Sequence, residues 1–174
     1  MLSRNLIKLF FQIDAKSAEE GFTESRLPEF TEEEKLEILG SSDFFGMNFY
    51  TSNLAYPTPS DEINPGVIGW GEDPDVTTLK DPKWYSSGSS WLKITPFGLR
   101  RIVNWAYNNY KKPIIITENG FSDNLGNLDD LQRIYYYKHY INQLLKAIKL
   151  DGVDVRGYYA WSLMDNFEWA RGYV

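Results

Sequence analysis

An α/β fold built on parallel strands is what this sequence predicts, and three observations carry that prediction. Short apolar runs, "DFFGMNFY" (43–50), "PIIITENG" (113–120) and "VRGYYAW" (155–161), have the length and the β-branched or aromatic content of strands. Helical patterns separate the later runs, an alternation that points to a parallel sheet covered by helices. Polar and aromatic residues then gather after each run: Asn48 and Tyr50, Glu118 and Asn119, and Asp165, Asn166, Glu168 and Trp169. Barrels and open α/β sheets both keep their sites at such strand ends. An open nucleotide-binding sheet would carry a Gly-rich phosphate turn, and neither GxGxxG nor a Walker sequence occurs, so a barrel is the leading architecture.

Each element has its own signal. "FTEEEKLEILG" (30–40) opens with a capping box, Thr31 and Glu34, and its helix stops at Gly40. Phe44, Phe45, Met47 and Phe49 follow as a buried strand, interrupted by Asn48. Residues 51–90 read as irregular, with Pro57, Pro59, Pro65, Pro74 and Pro82 and a Gly/Ser cluster near Gly88. Long irregular stretches in compact domains usually shape a binding site. "ITPFGLRRIVNWAYNNY" (94–110) restarts regular structure with Thr95 as N-cap, Pro96 at the first helical position, and an apolar stripe of Leu99, Ile102, Val103 and Ala106. Asp129 and Asp130 introduce a long helix whose expected core stripe is Leu131, Ile134, Tyr135, Ile141, Leu144, Leu145 and Ile148. That helix ends before Gly152, with Lys146 and Lys149 near its negative end.

Composition narrows the function. A chain of 174 residues suffices for one domain with a sizeable core. With 18 basic and 24 acidic residues the net charge of −6 repels phosphate backbones, which argues against nucleic-acid binding. The absence of cysteine removes disulfides and thiolate zinc sites, and one histidine, His139, cannot anchor an ordinary metal site or complete a Ser-His-Asp triad away from its own helix. No apolar run reaches the length of a membrane span. "MLSRNLIKLFFQID" begins like a signal peptide, but Lys8 breaks its apolar run and Gln12 and Asp14 end it, so localisation stays open. The outlier is aromatic content, 16%, whose flat faces suit either sugar rings or a large core.

Glu118 poses the chemical question. Three isoleucines and Thr117 lead to a carboxylate, followed by Asn119 and Gly120. From "ENG" alone, a solvated residue in an Asn-Gly turn is the simpler account. Carboxylates among aromatics, without metal ligands, point instead to glycosidic bond cleavage. A retaining glycosidase needs an ionised nucleophile beneath the anomeric carbon and a protonated acid about 5 Å away. A partly buried nucleophile stays ionised only if donors face it, and the Tyr50 phenol and Asn48 amide, one strand away, could serve. Trp161 and Trp169 read equally well as core or as sugar platform.

The motifs "SRLPEFTEEE" (25–34), "DFFGMNFY" (43–50), "ITENG" (116–120) and "WSLMDNFEW" (161–169), taken in this order, resemble the C-terminal half of family 1 glycoside hydrolases of the β-glucosidase type. The resemblance covers roughly Ile13 to Val174 and leaves "MLSRNLIKLFF" unmatched. It implies a partial TIM (β/α)8 barrel, roughly strands 6 to 8 with their helices, forming one incomplete domain over residues 1–174 with a poorly matched start at 1–12. It implies a retaining β-glycosidase in which Glu118 is the nucleophile and Tyr50 the tyrosine that hydrogen-bonds it. Asn48 would stand on the same strand as that tyrosine, and Trp161 would lie beneath the sugar. Glu168 and Trp169 would contact hydroxyls away from the cleaved bond, and Trp91 would flank the leaving-group side. The implied partner is a small β-glycoside with an unphosphorylated glycone, glucose or a close epimer; no cofactor or metal is expected and the oligomeric state is open. The family's acid/base glutamate sits in an "NEP" sequence, which does not occur here. Two unpaired sheet edges, prone to aggregation, are therefore expected of this chain, along with doubtful activity alone. A sugar-binding module without chemistry, or a truncated product without function, are the competing expectations.

Overall fold

The structure, a computed structural model, describes residues 13–63 and 74–173. The signal-like start at 1–12 and Pro65 lie outside the described residues. The chain divides into two compact units, one formed by the residues up to Asp43 together with Asn53–Leu79, the other by Phe44–Ser52 and Lys80 onward.

The first unit holds helix α1 (13–19), helix α2 (Glu32–Ile38) and an antiparallel pair, β2 (Leu54–Pro57) with β3 (Val76–Leu79). The capping box is present in full: Glu34 N donates to the Thr31 hydroxyl, and Thr31 N donates to the Glu34 carboxylate at 2.8 Å. The β2–β3 pair corrects the irregular reading of 51–90. Val76, Thr77 and Thr78 are β-branched and pair with Pro57, Tyr56 and Ala55, and Pro57 sits at the strand end where its missing N–H is tolerated. β2 is exposed along its whole length, so no buried-face alternation announced it.

The second unit is a three-stranded parallel sheet, order β1 (Phe45–Asn48), β4 (Ile114–Asn119), β5 (Val155–Ala160). Helices α3 (Pro96–Tyr110) and α4 (Leu131–Asp151) supply the crossovers. Leu99, Val103 and Ala106 of α3 pack with Ile114 and Ile116 of β4 in a fully buried core. Each large apolar side chain buried this way contributes about 1.5–3 kcal/mol. Thr95 and Pro96 begin α3 as expected, but the Thr95 side chain makes no capping hydrogen bond; its backbone N–H instead donates to the Tyr140 hydroxyl at 2.8 Å. In the first strand Met47 is buried, whereas Phe44 is exposed rather than part of a buried run.

The long helix turns a different face to the core than its expected stripe, of which Leu144 alone is buried. Tyr136, Tyr140, Leu144 and Ala147 are buried, while Leu131 is 70% exposed and Ile134, Ile141 and Leu145 are exposed as well. Two apolar stripes compete on this helix, and the one bearing tyrosines wins because buried partners await their hydroxyls. Asp130 caps the helix by accepting from Arg133 N, and Gly152 closes it at a left-handed φ of 69°, a conformation glycine adopts without a Cβ penalty. The Arg100 guanidinium grips Asp151 through two hydrogen bonds of 2.7 Å, tying α3 to the end of α4. On the opposite sheet face, Asn48, Thr117 and Tyr159 are exposed.

Candidate functional site

Strict alternation along β4 would aim Glu118 at the helix-covered face, in phase with Ile114 and Ile116. The strand avoids this. Register shifts occur between Met47 and Asn48 on one side and between Ile116 and Asn119 on the other. Burial follows the shift: Ile114, Ile116 and Asn119 are buried, a three-residue step in place of two. Bulges of this kind re-aim side chains. Asn119 takes the covered position and Glu118 is released to the strand mouth, half-buried.

There the Tyr50 hydroxyl donates to Glu118 Oε2 at 2.6 Å, and Phe49 N donates to the Glu118 carbonyl at 2.9 Å. Burial, then the hydrogen bond to Glu118 and the charges of Glu118 and Glu168, push the Tyr50 phenol far above its ordinary range. It therefore remains a donor, as a charge-assisted hydrogen bond of this length requires. Trp91 meets Tyr50 edge to face, ring centroids 5.7 Å apart. Its loop is fixed by Leu92, which is buried, and by paired hydrogen bonds between Thr51 Oγ1 and the Lys93 backbone.

Trp161 follows β5 and reaches the same mouth. Its backbone N–H donates to the Asn119 carbonyl at 2.9 Å, and its indole Nε1–H donates to Glu168 Oε1 at 2.8 Å. The Trp161–Ser162 peptide is cis. The Trp161 carbonyl lies where a Cβ on residue 120 would stand, so only glycine fits after Asn119. Asn166 Nδ2 donates to the Ser162 hydroxyl and the Met164 carbonyl, closing the turn between Trp161 and Glu168.

Tyr50, Glu118, Trp91, Trp161 and Glu168 are thus brought together through direct contacts or shared backbone. Asn48 stands beside them but accepts a 2.6 Å hydrogen bond from the Thr117 hydroxyl and makes none to Glu118. Trp169 is 83% exposed at a left-handed φ of 47°, and no hydrogen bond or ring contact among the described residues ties it to the cluster. Beneath the site lies a polar layer whose role the sequence did not show: Asn119, Tyr136 and Tyr140, which are buried, and Tyr158, which is half-buried. Asn119 Nδ2 donates to the Phe49 carbonyl and the Tyr136 hydroxyl, and Asn119 Oδ1 accepts from Tyr158. The one available signal was the i, i+4 spacing of Tyr136 and Tyr140.

The family model for glycosyl hydrolase family 1 matches residues 10–174. The chain belongs to glycosyl hydrolase family 1. Family 1 relatives include lactase/phlorizin hydrolase of Homo sapiens, 49% identical over 93% of this chain and 8% of that protein. The cytosolic beta-glucosidase of Homo sapiens is 41% identical over 93% of this chain and 34% of that protein. Among solved structures, aphid myrosinase superposes with a TM-score of 0.80 at 38% identity, covering 95% of this chain and 35% of that one. A rice beta-glucosidase gives 0.81 at 34% identity over 94% and 35%. A mutant of that rice enzyme, 35% identical to this chain, was solved in a covalent complex with glucose. The chain therefore spans about a third or less of these relatives and is a partial α/β piece of a family 1 (β/α)8 barrel. No helix among the described residues is long and apolar enough to cross a membrane.

Proposed function

We propose that this chain carries the nucleophile half of a retaining β-glycosidase acting on unphosphorylated β-glucosides or close epimers. The observation that carries the proposal is the 2.6 Å hydrogen bond from Tyr50 to Glu118 at a strand mouth flanked by the Trp161–Glu168 pair. In this reading Glu118 attacks the anomeric carbon, the bond to the leaving oxygen breaks, and a glycosyl ester forms on the carboxylate. Tyr50 holds the carboxylate in its aim through that hydrogen bond. Trp161 offers a flat face to the pyranose, and Glu168, fixed by the Trp161 indole, accepts from sugar hydroxyls. Trp91 borders the leaving group, with Asn48 beside the carboxylate; Trp169 enters the sugar site by its motif alone. The covalent glucose complex of the related rice enzyme supports a glycosyl-enzyme intermediate.

Full hydrolysis also needs a second carboxylate, acid in the first step and base in the second. No "NEP" occurs in these residues, so turnover of unactivated glycosides is assigned to a longer barrel. A leaving group that departs without a proton isolates the first step. Incubation with 2,4-dinitrophenyl 2-deoxy-2-fluoro-β-glucoside should release dinitrophenolate once and leave one fluoroglucosyl adduct on Glu118. Equal labelling of the Glu118→Gln variant would overturn the assignment.

A further inference from the structure

We infer that Tyr136 and Tyr140 of α4 are positioning residues for the glycosidase reaction, setting Glu118 through the backbone of Tyr50; this rests on the nucleophile reading above. Both hydroxyls donate to the same acceptor, the Tyr50 carbonyl, each at 3.0 Å. A carbonyl oxygen has two lone pairs, and here two phenols engage them.

The direction of these bonds is fixed from behind. Asn119 Nδ2 donates to the Tyr136 hydroxyl at 2.8 Å, and Thr95 N donates to the Tyr140 hydroxyl at 2.8 Å. Each phenol has one proton, and with its oxygen already accepting, that proton is placed within reach of the Tyr50 carbonyl. Both side chains are fully buried, and their rings stack with centroids 3.9 Å apart at 18°. Neither can swing away without leaving a polar group unpaired in the core.

The layer reaches Glu118 from two sides. Tyr50 is held at its carbonyl by the helix and at its phenol by the carboxylate, so a shift at one end moves the other. Asn119, adjacent to Glu118, is bound to Tyr136, Tyr158 and the Phe49 carbonyl. Leucine or phenylalanine would pack the same helix face. The hydroxyls do something packing does not: they converge on the one carbonyl belonging to the residue that donates to the nucleophile. Small displacements of a reacting group carry large rate costs, roughly a hundredfold for an ångström.

The test uses the 174-residue chain and the dinitrophenyl fluoroglucoside. Tyr136→Phe/Tyr140→Phe keeps both rings and removes both protons. The rate constant for labelling should fall about tenfold or more while the reagent concentration for half-saturation stays within about twofold, since positioning acts on the transition state. Tyr50→Phe should also slow labelling, and Tyr50→Phe/Tyr140→Phe should be no slower than Tyr50→Phe alone, because the Tyr140 hydroxyl reaches Glu118 only through Tyr50. Multiplying losses would overturn the inference and make the pair ordinary core. The 13Cζ resonance of Tyr50, read without any reagent, is the second measurement. It should move in Tyr136→Phe/Tyr140→Phe toward its position in Glu118→Gln, and an unmoved resonance overturns the inference. If wild-type chain shows no label, the nucleophile reading fails and the resonance alone decides the network. If the double variant does not fold, Tyr140→Phe is read in the same two ways.

Discussion

The hydroxyl of Tyr50 lies 2.6 Å from Glu118 Oε2, although 68 residues separate them in sequence. Parallel pairing of β1 with β4 brings the two strand ends together, and the register shift at Asn48 lets the phenol and the carboxylate face each other. Tyr50→Phe should therefore slow fluoroglucoside labelling by about a hundredfold, the scale of losing one donor aimed at a reacting charge. Single-exponential labelling traces on wild-type and variant chain give the ratio, and an unchanged rate would remove Tyr50 from the machinery.

The tyrosine layer makes stability depend on alkaline pH. Unfolded phenols ionise near pH 10. Burial, the largest cause in each case, raises the folded Tyr50, Tyr136, Tyr140 and Tyr158 phenols above that value. The folded chain thus keeps protons that the unfolded chain loses, so stability is fully present below about pH 10 and falls as pH rises beyond it. Urea midpoints should drop between about pH 9 and 11, and less steeply in Tyr136→Phe/Tyr140→Phe. A flat wild-type profile would contradict the burial of these hydroxyls.

At the acid end, the hydrogen bonds from Arg100 and Asn104, and then the Arg100 charge, hold the Asp151 carboxyl down at about 2. Its contribution is present above the ordinary carboxyl range and is lost as pH falls from about 4 toward 2. Asp151→Asn should flatten that part of the urea-midpoint profile and leave neutral-pH labelling of Glu118 unchanged, because the α3–α4 tie lies away from the site.

The face of α4 can be decided by two neighbouring leucines. Leu144 is 5% exposed and Leu145 is 50% exposed. Leu144→Ala should cost about 2–5 kcal/mol, and Leu145→Ala about 1 kcal/mol or less, in urea unfolding. Equal costs would contradict the burial of Leu144 and the exposure of Leu145.

That contrast marks how far the residues could be read unaided. The sheet strands, α3 with its buried Leu99, Val103 and Ala106, and the Thr31–Glu34 box were legible because each rests on local chemistry: period, cap, or β-branched run. The α4 face was not, since Ile and Leu at helical spacing outweigh tyrosines until the Tyr50 carbonyl is known to lie opposite them. The exposed β2 had no buried face to alternate with. At the site, five of the seven expected residues converge, yet alternation would have buried Glu118, and only the register shift on both flanks of β4 explains why it emerges. Trp169 belongs to the expected set by motif but stands apart in space.

Glu168 supplies a specificity test. A carboxylate about 4 Å from a sugar 6-phosphate would cost on the order of 4 kcal/mol per charge pair at an effective dielectric near 20. The chain should label with the fluoroglucoside and resist its 6-phosphate analogue, and Glu168→Gln should narrow that gap. Efficient labelling of wild type by the phosphorylated reagent would exclude Glu168 from the glycone site.

The most direct test of Glu118 as a nucleophile held by Tyr50 is a crystal structure of the chain after reaction with the dinitrophenyl fluoroglucoside. The expected result is continuous density from a Glu118 carboxylate oxygen to the anomeric carbon, with the Tyr50 hydroxyl within hydrogen-bonding distance and the Trp161 ring against the sugar. A sugar joined to another carboxylate, or seated away from the Tyr50–Glu118 pair, would contradict it.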